Sequence, residues 1–170
     1  MKKGYGYVSI DAWLNEGDKL RPSIREHDKI ELFMEKIRKK DFPDKPSRLN
    51  AYFLAPDWHS AKAWRKLLDS KTHTYLVKYK GNDLLADGDL YTEVYFKVVN
   101  SHPSIAKSYT EQYWQGTMVS NLKEIVVAKD GEVEIIREVD LDKSEEEESG
   151  MVLEKSKFRR FIRRRDDVLF

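Results

Sequence analysis

Leu122-Lys123-Glu124-Ile125-Val126-Val127-Ala128-Lys129-Asp130-Gly131-Glu132-Val133-Glu134-Ile135-Ile136-Arg137-Glu138-Val139 is the stretch that decides the fold class. Its β-branched density reads as two strands, Leu122–Ala128 and Glu132–Val139. Lys129-Asp130-Gly131 between them reads as a hairpin turn. Working outward, Pro103 or Ser104 opens a helix through Ala106, Tyr109 and Tyr113 that stops at Gly116. Upstream, Asp28 can cap a helix that puts Ile30, Phe33, Met34 and Ile37 on one face. Asp57 can cap another, with Ala61, Trp64, Leu67 and Leu68 inward. Tyr5–Ile10, Leu49–Leu54 and Thr74–Tyr79 read as strands, the last ended by Gly81-Asn82. Asp11 can cap a short turn through Trp13-Leu14 that ends at Gly17. Leu84–Asp89 is turn-rich and gives no clear element. Strands and helices alternate without a βαβ rhythm, so the expected class is α+β.

The 170 residues suffice for one domain and a short appendage. Composition changes near Asp140. Residues 141–170 carry eight acids and eight bases with the signs segregated: Glu145–Glu148 first, then Arg159, Arg160, Arg163, Arg164 and Arg165. Consecutive glutamates repel and resist burial, so Lys143–Gly150 reads as a solvated linker. Phe158, Phe161 and Ile162 then form a short basic amphipathic helix. The expected organisation is an α+β domain over 1–139 and a charged tail over 140–170. The tail either docks on its own domain or, through its arginines, contacts nucleic acid or another partner.

Thirty-one Lys and Arg against 30 Asp and Glu give a formal charge of +1, which excludes a globally basic nucleic-acid binder. The absence of Cys excludes disulfides, thiolate metal sites and a Cys nucleophile. His27, His59, His73 and His102 have no metal-ligand spacing, so no metal is expected. No apolar run approaches the ~20 residues that span a bilayer, and no signal core follows Met1-Lys2-Lys3-Gly4. A cytoplasmic protein without membrane partners is expected.

Three local patterns can carry chemistry. Arg48, in Pro46-Ser47-Arg48, sits where a Pro-bounded loop enters an apolar strand. A fork pointing off the strand end suits a carboxylate or a pyrophosphate, and an ion pair with one of the chain's many acids serves equally. Tyr113-Trp114-Gln115-Gly116 ends a helix with two aromatics, fit for core packing or for stacking on a ligand. Glu124 opens a β-branched strand, where a solvated carboxylate is the ordinary case. Phosphate-loop, dinucleotide-binding and Gly-x-Ser-x-Gly fingerprints are absent.

Together these segments resemble the ADP-ribosyltransferase-like superfamily, more closely its small prokaryotic and phage members. Tyr7-Val8-Ser9 with Ala12-Trp13-Leu14 and Glu16–Pro22 is similar to the family's first element. Pro46-Ser47-Arg48, Asp57 and the Ala61 helix are similar to the second, and Tyr113-Trp114-Gln115-Gly116 with Glu124-Ile125-Val126-Val127 to the third. The resemblance covers residues 5–139 and implies a split β-sheet core with flanking helices. It implies NAD as substrate, broken at the nicotinamide–ribose bond, with Glu124 as the catalytic carboxylate and Arg48 as the pyrophosphate clamp. Tyr7, Ser9, Tyr52 and Trp114 would then bind the dinucleotide. The acceptor of the ADP-ribose is open: nucleic acid, a small molecule or a protein. Leu122 stands where a second Glu would precede Glu124, which does not suit arginine-directed protein modification. On this reading Arg48 and Glu124 face each other across a cleft sized for a dinucleotide. Two other readings compete: a non-catalytic binding or inhibitor protein on the same fold, and a nucleic-acid binder acting through its tail.

Overall fold

The computed structural model describes residues 2–10, 23–24, 29–68 and 73–147. The expectations for Asp11–Pro22, Asp28 and the basic tail helix with Phe158–Arg165 lie outside these residues. The chain divides into two units, Met1–Glu138 and Val139–Phe170.

In the first unit the elements run β1 (Lys2–Ile10), β2 (Ser23–Ile24), α1 (Lys29–Asp41), β3 (Asn50–Leu54), α2 (Trp58–Leu68), β4 (His73–Gly81) and β5 (Asp83–Asp87). They continue with α3 (Gly88–Val99), α4 (Pro103–Gln115), β6 (Lys123–Ala128) and β7 (Glu132–Val139). The α+β class holds. The strands form two sheets, β1-β4-β7 and β2-β3-β6-β5. Their described pairings are antiparallel. A bridge between Tyr7 and Ala55 joins β1 to the end of β3.

The period-2 alternation of the strands sorts their side chains between two cores. Val8, Tyr52, Leu54, Val77, Tyr79, Ile125, Val127 and Val133 form one cluster, drawn from strands of both sheets. Ala51, Leu84, Ala86 and Val126 face the other way, with Ile30, Met34 and Ile37 of α1, Leu90 and Val94 of α3, and Tyr113 and Trp114 of α4. The strand β6 is therefore apolar on both faces, which accounts for its unbroken β-branched run.

Local chemistry places most helix ends. Asp57 Oδ1 accepts from Ser60 N at 2.7 Å and caps α2. Pro103 occupies the first turn of α4, and Gly116, at φ 74°, ends it in the left-handed conformation. Thr117 N closes that end on Gln112 O at 3.0 Å.

Four expectations need correction. Lys129–Gly131 is a turn, but the strands it joins enter different sheets. Gly81 and Gly131 allow the crossing: a Cβ on Gly131 would lie 2.8 Å from Lys80 O, and one on Gly81 3.1 Å from Gly131 Cα. Leu84–Asp89, read as turn-rich, is strand β5 as far as Asp87 and the start of helix α3 beyond it, and α3 forms although Tyr91, Thr92, Val94, Tyr95, Phe96, Val98 and Val99 favour strands. An Asp87 cap on Asp89 N and the burial of Leu90 and Val94 override that preference. Leu67 is not inward but 65% exposed. In the second unit the glutamate run begins as helix: Ser144 Oγ accepts from Glu147 N at 3.2 Å, and Glu147 Oε2 accepts from Ser144 N at 2.8 Å. That is a capping box, so Glu145–Glu147 start a helix and are not linker, although Ser144–Glu147 stay exposed as a solvated stretch does. Among the described residues no helix is long and apolar enough to cross a membrane.

Candidate functional site

The Pro46-Ser47-Arg48 turn is held from α1. Ser47 Oγ donates to Glu35 Oε2 at 2.9 Å, and Leu49 N donates to Ser47 Oγ at 3.3 Å. Arg38 grips Glu35 with two bonds of 2.8 Å and donates through NH1 to Lys45 O at 2.8 Å. Burial works to raise the Glu35 carboxyl, but the bonds from Arg38 and Ser47 outweigh it and hold the group below its usual range.

From this turn the Arg48 side chain runs inward over β3. Its Cζ lies 4.7 Å from the ring centroid of Phe53, 4.4 Å from Tyr91 and 5.1 Å from Tyr113. The expectation of a fork pointing off the strand end is thus corrected. Arg48 is 2% exposed. Its Nε donates to Glu31 Oε2 at 3.0 Å and its NH2 to Glu31 Oε1 at 3.0 Å. Its NH1 donates to the Tyr113 hydroxyl and to Glu124 Oε1. Tyr113 Oη in turn donates to Glu124 Oε1 at 2.5 Å.

Arg48 and Glu124 do meet, as expected, but in direct contact and not across a cleft. Glu124 is 5% exposed, so it is not the solvated strand-start carboxylate of the ordinary case. Its Oε1 takes two donors, whereas Oε2 carries no hydrogen bond among the described residues. Among the described residues one guanidinium faces two carboxylates, a formal charge of −1. Such a centre favours cations and repels a pyrophosphate, and Glu31 already fills one edge of the fork. This geometry does not suit Arg48 as the clamp.

The cluster's own fields are strong. Burial opposes the charge on Arg48, yet Glu124, Tyr113 and Glu31 hold it well above its ordinary range. Burial pushes the Tyr113 phenol well up against the opposing pull of Arg48, so it stays a donor.

The other expected residues divide. Tyr7 comes near: its N and O bond Ala55 at 2.8 and 2.7 Å, and Ala55 follows Leu54, whose partner Ile125 follows Glu124. The Tyr7 ring meets Trp58 edge-on at 5.8 Å. Ser9 stands opposite Thr74 in β1, and its side chain lies outside the described set. Tyr52 does not join the site. It is on the opposite face of β3 from Phe53, packed in the other cluster. Trp114 is fully buried, donates to Met34 O at 3.2 Å and packs edge-on against Tyr113 at 5.1 Å. Both serve as core, which leaves them no face for a dinucleotide. A groove of about 480 Å³ lies elsewhere, lined by Pro43–Ser47, Leu49, Asn50, Asn82 and Ala128–Asp130; neither Arg48 nor Glu124 lines it. Among the described residues no group of three His, Asp or Glu could hold a metal.

A family model described as "Protein of unknown function (DUF2441)" matches residues 12–141. The chain belongs to this family. No curated protein matches the chain. The matched span takes in the whole charged cluster, Glu31, Arg48, Tyr113 and Glu124, but begins after Tyr7 and Ser9. The family's span therefore contains the anchored carboxylate, while the β1 residues lie ahead of it.

Sequence reasoning missed Glu31 and treated Tyr113 only as a ring. A signal existed for Glu31. It lies beside the apolar face of α1 and repeats as Glu35 one turn on, and both are buried.

Proposed function

We propose that this domain transfers ADP-ribose from NAD, with Glu124 as the carboxylate that stabilises the reacting ribose. The observation that carries the reading is the asymmetry of Glu124. One oxygen is tethered by Arg48 and Tyr113, and the other carries no bond among the described residues. A carboxylate held at one oxygen is pre-organised to present the other. Breaking the nicotinamide–ribose bond leaves the electron pair on nicotinamide and positive charge on the ribose. A centre of formal charge −1 stabilises that charge, and the gain is largest in the transition state. The split into two sheets bridged at Tyr7–Ala55 supports the same reading. NAD is the substrate here, and Arg48 acts on Glu124 and not on the pyrophosphate.

The test is release of nicotinamide from NAD, with labelled NAD and cell lysate to trap the acceptor as protein, nucleic acid or small molecule. Glu124→Gln should lower turnover by roughly 10²- to 10³-fold, as loss of an electrostatic stabiliser does. Because Glu124 is buried, both proteins are assayed well below their melting temperatures. Equal consumption by the two would remove Glu124 from the mechanism.

The occupied fork of Arg48 favours a second reading, a non-catalytic domain in which the cluster only fastens helices to the sheet. That reading expects no heat of binding with millimolar NAD and no nicotinamide release.

A further inference from the structure

We infer that Tyr113 and Glu31 are positioning residues for Glu124, each acting at a different bond of the cluster. This rests on the proposed role of Glu124. A guanidinium has five N–H donors in one plane. Glu31 takes the Nε edge with bonds of 3.0 Å from Nε and from NH2. Phe53, Tyr91 and Tyr113 lie within 4.4 to 5.1 Å of Cζ and restrict the guanidinium's tilt. With that edge and the faces fixed, NH1 has one direction left, toward Tyr113 Oη and Glu124 Oε1.

Tyr113 closes the triangle. Its hydroxyl accepts from Arg48 and donates to the same Glu124 oxygen. A carboxylate pinned by one donor can still swing about that bond. Two donors from different elements, the α4 phenol and the Arg48 guanidinium, fix its rotation and so the direction of Oε2. Glu31 sets the orientation of Arg48, Arg48 and Tyr113 together set that of Glu124, and neither Glu31 nor Tyr113 needs to touch substrate.

Tyr113→Phe keeps the ring and removes the hydroxyl. It should lower kcat for nicotinamide release on the order of 10- to 100-fold with KM unchanged, since a carboxylate displaced by a fraction of an ångström loses transition-state contact more than binding. Glu31→Gln should act in the same direction. Val94→Ala, equally buried in the same apolar cluster, should destabilise the fold and leave kcat as in the unaltered protein. If Tyr113→Phe turns over NAD normally, or if Val94→Ala loses kcat to the same extent, the inference is overturned. A urea double-mutant cycle of Tyr113→Phe with Glu124→Gln reads the coupling without NAD. The double variant's midpoint shift should fall short of the sum of the single shifts; strict additivity overturns the inference. Absence of turnover in the unaltered protein would defeat the proposed function instead, and the cycle would still decide whether Tyr113 holds Glu124.

Discussion

Arg48→Met removes the one formal positive charge that the described residues bring to this buried cluster and leaves two carboxylates, Glu31 and Glu124, without it. Methionine keeps most of the apolar stem but not the guanidinium that lies over Phe53, Tyr91 and Tyr113, so the change removes the charge with the least loss of stem packing. Removing one partner of a buried ion pair costs about 3–5 kcal/mol, chiefly from the charge left behind. A whole domain is stable by only about 5–15 kcal/mol, so about a fifth or more of the total is at stake. At about 3–4 °C per kcal/mol for a unit of this size, the melting temperature should fall by ~10–20 °C. The companion is a quadruple variant, Glu31→Leu, Arg48→Met, Tyr113→Phe and Glu124→Met, which replaces every member by an apolar group of similar volume. Substitution of a whole buried network is often neutral or stabilising, so this variant should recover most of the loss. Urea unfolding followed by circular dichroism and tryptophan fluorescence measures both. The reasoning is refuted if Arg48→Met lies within about 1 kcal/mol of the unaltered protein, the range of a surface pair. It is equally refuted if the quadruple variant is no more stable than Arg48→Met.

Two further outcomes test the frame around the cluster. Asp87 is fully buried, and its oxygens accept from Asp89 N, Ser120 Oγ, Val119 N and Ser120 N at 2.6 to 2.9 Å. Burial works to raise its carboxyl, but those bonds to Ser120, Val119 and Asp89 prevail and lower it. A depressed carboxyl contributes stability above its unfolded value, near 4, that is lost as pH falls through its folded value. Asp87→Asn should therefore cost about 2–3 kcal/mol at pH 7 and progressively less in acid; a cost independent of pH in urea titrations would contradict this. A Cβ on Gly88 would lie 2.6 Å from Trp64 Cζ2, so Gly88→Ala should destabilise by about 1–3 kcal/mol by overpacking. Gly88→Ala combined with Trp64→Leu should recover part of that loss in thermal melts, and no recovery would place the strain elsewhere.

The elements legible in the sequence are those whose signal is local. The face of α1, the Asp57 cap and the Gly116 stop each rest on residues within a turn of one another. Helix α3 was not legible because its β-branched and aromatic residues point to strand, and only packing with sheet and helices decides otherwise. The division into two sheets was hidden for a related reason. Lys129-Asp130-Gly131 and Gly81-Asn82 have hairpin chemistry, but what routes each next strand elsewhere is the packing of Gly131 against Lys80 and Gly81, a contact between distant residues. In the site, Arg48 could be singled out as a guanidinium entering an apolar strand, whereas Glu124 looks like an ordinary solvated carboxylate and stands out only through the family resemblance. Their partner Glu31 leaves only the fainter signal of its place beside the apolar face of α1, which a solvated glutamate in a charged helix can also show.

The same geometry ties stability to the proposed chemistry. The cluster draws its members from α1, the turn before β3, α4 and β6, with Phe53 and Tyr91 stacked on the guanidinium, so it fastens the helix layer to the sheet. It also leaves one Glu124 oxygen without a bond among the described residues. A purely structural cluster gains by spreading its donors over both carboxylate oxygens. Both Arg48 and Tyr113 instead converge on Oε1, although Oε2 belongs to the same carboxylate. That doubling on one oxygen serves fastening poorly and suits the presentation of a reactive group. Stability alone therefore cannot separate the two roles, and kcat measured well below the melting transition can: a fastening cluster predicts equal losses from Val94→Ala and Tyr113→Phe when matched in stability, whereas a presenting one predicts loss in Tyr113→Phe only.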